Sequence, residues 1–90
     1  MIEKLSEELA SLYKIHIPEY LSTLKQAIDE EDLVTMRDVA HNLSSAMGSI
    51  GDTDSGALFK KIEKGDLPLS EVSALLIEAE PLVEATLTQI

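Results

Sequence analysis

The chain has 90 residues, of which 44% are hydrophobic, and its 17 acidic and 7 basic side chains give a formal net charge of −10. That length builds a single domain, expected over 1–90, with one core, and the negative balance argues against nucleic acid and anionic membranes, which both demand a dense Lys/Arg face. The absence of cysteine removes disulfides, thiol catalysis and thiolate metal sites; no apolar run nears the roughly eighteen residues that cross a bilayer, so a cytoplasmic protein without membrane insertion is expected.

Ile2, Leu5, Leu9 and Leu12 keep a helical spacing through IEKLSEELASLYKIHI, and Ile17, Leu21, Leu24 and Ile28 define a second stripe. At about 100° per residue the second is rotated by roughly a quarter turn from the first. Pro18 lies at the slip, lacks an N–H and disfavours the helical conformation at Ile17. A break near residues 16–18 is therefore predicted, separating a segment of about 2–16 from a helix of about 18–30 that starts on Pro18. His16 falls beside the apolar stripe at this break and reads as a packed or capping residue. His16 and His41 lack the spacing that brings two histidines onto one helix face, so they form no metal pair.

Asp32 to Gly51, DLVTMRDVAHNLSSAMGSIG, reads as one amphipathic helix with Asp32 as its cap and Gly51 as its left-handed end. Met36, Ala40, Leu43, Met47 and Ile50 form the apolar stripe. His41 falls roughly 120 to 140° from the stripe's centre, so it is predicted on the wet face. Its helical neighbours are Arg37, Ser44, Ser45 and Gly48. Three of these are small, and a glycine inside a helix costs about 1 kcal/mol relative to alanine. The ring thus stands on a low-relief patch with one cation a turn before it. An imidazole, with an unperturbed pKa of about 6.5, is a competent nucleophile near neutral pH. The residues alone leave two readings open: a surface histidine without a task, or an acceptor of a phosphoryl group helped by Arg37.

Gly51-Asp52-Thr53-Asp54 reads as a turn in which Asp52, Thr53 or Asp54 caps a short helix, SGALFKKIEK. Leu58 and Ile62 face inward with Phe59 beside them, and Gly65-Asp66-Leu67-Pro68 ends the helix. Lys60, Lys61 and Lys64 make a small basic patch near its C-terminus, where cations suit the helix dipole. Ser70 is the predicted cap of a last helix with Val72, Leu75, Leu76, Ala79, Val83 and Leu87 on one face. Pro81 should bend that helix or loosen the bond to the Ile77 carbonyl. No segment alternates with period two. The expected fold is all-α, an antiparallel four-helix bundle with an additional N-terminal helical segment.

The run Ala40-His41-Asn42-Leu43-Ser44-Ser45-Ala46-Met47-Gly48-Ser49-Ile50-Gly51 resembles the signature of histidine-containing phosphotransfer (HPt) domains. The match lies at Ala40, His41, Leu43, Ala46 and Gly51, and extends to Leu58, Ile62 and Glu63 on the following helix. PEYLSTLKQAIDEEDLVTMRDVAH resembles the stretch that leads into the family's histidine helix, so most of the chain is covered. Two positions depart: Ser44 stands where the family usually has a lysine, and Ser45 where it usually has a glycine.

The resemblance implies a phosphorelay intermediate. His41 would take a phosphoryl group from the aspartyl phosphate of a response-regulator receiver domain and pass it to another receiver's aspartate. Arg37, Ser44, Ser45 and Gly48 would support the phosphoryl group or dock the partner. Arg37 would stand in for the lysine missing at Ser44. No cofactor is expected on this domain, Mg²⁺ being expected on the partner receiver, and no kinase or nucleotide-binding motif is present. The domain would be a phosphocarrier, an enzyme only in the loose sense, free-standing or part of a hybrid sensor kinase. Two other readings remain: an HPt-like module that docks a receiver or kinase without carrying phosphate, and a helical assembly domain paired through the Leu-rich first segment.

Overall fold

The computed structural model describes residues 7–90, so Ile2 and Leu5 of the first predicted stripe lie outside the described residues. Four helices follow one another: α1 (Glu7–Asp29), α2 (Leu33–Ile50), α3 (Thr53–Lys64) and α4 (Leu69–Gln89). No strand occurs among the described residues. Each helix packs on the next, and α1 closes the ring against α4, as the short connections of an up-and-down bundle require.

The predicted break near residues 16–18 is absent. α1 runs through Pro18 without interruption, and the expected N-terminal segment, from Glu7 onward, is the first part of this helix. The reason lies in which stripe is covered. Tyr13, Ile17, Tyr20, Leu21, Leu24, Ala27 and Ile28 pack on or in the core as one continuous face. Leu9, Leu12 and Ile15 stay largely exposed, so no phase slip exists in the buried pattern. Pro18 is exposed, as is Lys14, whose carbonyl the missing N–H would have bonded, so water can take the place of that bond. Pro81 is likewise exposed within an unbroken α4. His16 is not packed: it is exposed, with Nδ1 3.1 Å from Glu19 Oε1.

α1 ends through Glu31, a non-glycine residue at φ 57°. Asp32 then caps α2, accepting from the Thr35 amide at 3.2 Å and the Thr35 hydroxyl at 2.7 Å. Those bonds hold the Asp32 carboxyl below its ordinary pKa. Gly51, at φ 100°, closes α2 by giving its N–H to the Met47 and Gly48 carbonyls. This left-handed turn is one that a side chain would strain. α2 buries the whole predicted stripe, with Val39 and Ala46 widening it.

Of the three candidate caps for α3, Asp52 is the one used, and it does more than cap. Its carboxylate accepts from the Ser55 amide (3.0 Å) and hydroxyl (2.7 Å), and from the Thr86 hydroxyl of α4 at 2.6 Å. The last helix starts at Leu69 rather than after Ser70: Pro68 is the capping position, and its carbonyl accepts from the Glu71 and Val72 amides. Leu67 and Leu69 both pack on the core, which pulls the helix start ahead of Ser70. Phe59, fully buried, sits at the centre with Ile17, Leu24, Leu43, Met47 and Ile62. Lys25 and Glu80 tie α1 to α4 at 2.8 Å.

Partial burial pushes the Asp52 carboxyl up, but its bonds from Thr86 and Ser55 outweigh this and hold it below the ordinary value. A carboxyl with a lowered folded-state pKa stabilises fully above its unfolded pKa of about 3.9, and the contribution fades as pH falls through the folded value. Asp52→Asn should lower stability by about 1–2 kcal/mol near neutrality. Urea unfolding at pH 7 and near pH 3 should show the gap to wild type narrowing in acid; an equal gap at both would show that Asp52's charge contributes nothing.

Candidate functional site

Rotation about α2 places His41 outside the core, and its side chain is 62% exposed. The ring is nevertheless fixed. Nδ1 lies 2.9 Å from Oε2 of Glu63, in the last turn of α3. An ionised carboxylate only accepts, so Nδ1 carries the proton and donates it to Glu63. Nε2 is then the nitrogen with a free lone pair, and no described residue bonds it.

What brings Glu63 there is a close approach of α2 and α3. Gly56 is buried in α3. A Cβ built on it would stand 3.5 Å from the Ser44 carbonyl and 3.8 Å from the Gly48 amide nitrogen. Gly56, Lys60 and Glu63 follow a 4-3 helical spacing and so share one side of α3. Arg37, a turn before His41, reinforces the contact: its Nε donates to the Glu63 carbonyl at 3.2 Å. A guanidinium on a C-terminal carbonyl is favoured by the helix dipole as well. Gly65, at φ 73°, turns the chain beneath this side chain, and a Cβ there would come within 3.0 Å of Arg37 Cδ.

The His41–Glu63 pair separates two shallow grooves. One, of about 530 Å³, is lined by Val34, Arg37, Asp38 and Asn42 besides the pair itself. The other, of about 570 Å³, runs over Ser44, Ser45, Gly48, Gly56 and Lys60. All five sequence-derived residues therefore border the same surface, but not equally. Ser45 and Gly48 are exposed, whereas Ser44, expected on the open face, is buried at 7% exposure. The approach of Gly56 toward its carbonyl covers it. Arg37 is engaged with the end of α3. Nothing lies within 4 Å of a Cβ built on Gly48, so that glycine is not needed for packing.

Glu63 and Lys60 were not among the sequence-derived site residues. The Gly56/Lys60/Glu63 spacing was a visible signal, but its meaning depends on how α3 is turned toward α2. The three lysines do not form one patch: Lys60 borders the His41 groove, while Lys61 lines a separate groove with Leu67 and Glu71. Among the described residues no group of three or more His, Asp or Glu side chains is arranged to hold a metal ion, and no described helix is long and apolar enough to cross a membrane.

The model of the Hpt domain family matches residues 8–90, and the chain belongs to that family. No curated protein and no solved structure matches it. Hpt domains serve phosphotransfer in two-component systems and interact with receiver domains in phosphorelays.

The Glu63 contact makes a prediction about the ring. Nitrogen chemical shifts of His41 in the neutral form should report the Nδ1–H tautomer. Glu63→Ala should move the ring toward the Nε2–H tautomer that free imidazole side chains favour, with α-helical content retained. An unchanged tautomer in the variant would mean that Glu63 does not orient the ring.

Proposed function

We propose that His41 is the phosphoacceptor of a phosphorelay intermediate, taking the phosphoryl group from a receiver's aspartyl phosphate and passing it to a second receiver's aspartate. The observation that carries this reading is the exposed imidazole whose Nδ1 is committed to Glu63, leaving Nε2 to react. The Nε2 lone pair attacks phosphorus in line. The N–P bond forms as the bond between phosphorus and the aspartyl oxygen breaks, and the carboxylate leaves as free aspartate. Nδ1 keeps its proton, so the ring becomes cationic, and the Glu63 carboxylate beside it balances that charge. Transfer to the second receiver is the same step reversed.

This demands little of the bundle. Phosphoryl transfer depends mostly on alignment and charge stabilisation. In this reading the receiver brings Mg²⁺, and the domain binds no cofactor itself. The bundle offers a nucleophile on a rigid helix and a surface of low relief around it. Ser45 and the open Gly48 keep one side flat, and exposed Val34 supplies an apolar contact on the other. The arrangement suits a free-standing carrier and a domain of a hybrid kinase equally.

Mixing the domain with a ³²P-labelled phosphorylated receiver should transfer label that is acid-labile and base-stable. His41→Gln should abolish it. Complex formation without label would reassign the domain as a docking module, and label persisting in His41→Gln would place the acceptor elsewhere.

The same reading gives Gly48 a testable trade. Gly48→Ala fills open space on a helix and should raise stability by about 0.5–1 kcal/mol, measured as a higher Tm. Gly48→Gln should lower receiver affinity by its bulk on the docking face. Unaltered affinity would take Gly48 out of the docking surface.

A further inference from the structure

We propose that Lys60 of α3 is the side chain that neutralises the phosphoryl group while it resides on His41; the inference rests on His41 being the acceptor. The need follows from the local charges. On phosphorylation at Nε2 the ring's positive charge is already matched to the Glu63 carboxylate, so the charges of the phosphoryl group are left unmet, with Asp38 across the other groove. A cation within reach must offset them, since like charges held a few ångströms apart at a surface repel.

Three other cations stand near this end of α3, one tied down at its Nε and two outside the grooves beside His41. Arg37 has its Nε on the Glu63 carbonyl and its stem over Gly65. Lys61 faces a different groove, toward α4. Lys64, in the last turn of α3, lines neither groove beside His41. Lys60 borders the groove that holds His41, is exposed, and makes no hydrogen bond or ion pair with the described residues. It precedes Glu63 by three residues, so the two side chains stand on the same side of α3. Its ammonium, on a flexible four-carbon stem, can swing over a groove floored by serine and glycine. The groove thus offers a cation from α3 where α2, with Ser44 buried, offers none.

The test uses a donor without a docking surface. With phosphoramidate, Nε2–P forms as the donor's P–N bond breaks and ammonia leaves, and ³¹P NMR follows the phosphohistidine. Wild type should become labelled; failure to label, here and with the phosphorylated receiver, would sink the acceptor reading rather than the role of Lys60. Given labelling, Lys60→Ala should slow it about tenfold, the scale of one charge-assisted contact. Lys60→Arg should restore most of the rate, and Lys61→Ala should leave it unchanged. The Lys60→Ala deficit should also shrink as salt is raised, which loss of a merely structural contact would not do. Equal rates for wild type and Lys60→Ala would overturn the proposal, as would a deficit seen only with the receiver donor, which would make Lys60 a docking residue.

Discussion

Glu63 is held twice by α2, and the site depends on that grip. Arg37 takes its carbonyl and His41 takes its carboxylate, at 3.2 and 2.9 Å. The two donors are four residues apart, one above the other on the helix surface. A single residue of α3 is therefore fixed in both backbone and side chain by one turn of α2. The grip ties the two helices together where the histidine stands and favours one tautomer and one orientation of the ring. An imidazole on a surface otherwise samples several rotamers, and for the proposed acceptor each would be a loss of alignment with an incoming phosphorus.

The packing behind this grip lies two to three turns back along α3. Buried Gly56 lies against α2, where a Cβ would stand 3.5 Å from the Ser44 carbonyl, and Asp52 anchors the start of α3 to Thr86 of α4. The core, with Phe59 fully buried in it, stabilises the bundle without lining the grooves beside His41. Helix stability and site geometry thus draw on different residues of the same two helices. Gly48 shows the separation most plainly: it weakens α2 as a helix and fills no packing need, and it lies on the face proposed for docking.

α2 was legible almost entirely from sequence, because its stripe, its Asp32 cap and its Gly51 end are local, and helical rotation alone places His41 outside. α1 was not. Two overlapping stripes can be drawn through its residues, Leu9/Leu12 and Tyr13/Ile17, and only the bundle decides which is covered. Pro18 marked a break on paper, but an exposed proline leaves its unpaired carbonyl to water and the helix continues. The partners of His41 were less legible still. Glu63 and Lys60 come from another helix, so their role depends on the rotation of α3 about its own axis and on its distance from α2. That distance shows in the contact of buried Gly56 with α2, which no periodicity reveals. The burial of Ser44 has the same origin: helical rotation turns it away from the stripe's centre on α2, but α3 comes close enough to cover it.

A chain of net charge −10 is an unlikely host for a phosphoryl group if the whole charge is counted. It is a reasonable one if distance is. At physiological salt, charges beyond roughly 8 Å are largely screened at a surface, so acids spread along the outer faces of four helices contribute little at His41. What counts is the near set: Glu63 and Asp38 against Arg37 and Lys60. Glu63 does not act simply as a repelling carboxylate, because it is bonded to the ring proton and its charge is matched to the cation the ring becomes on attack. Arg37 has its Nε committed to the α3 terminus. The near set is therefore close to balanced as it stands, and in the proposed role it would fall short of positive charge once a phosphoryl group arrived. A site so charged would hold that group without trapping it, as the proposed intermediate, whose cargo has to leave again, requires.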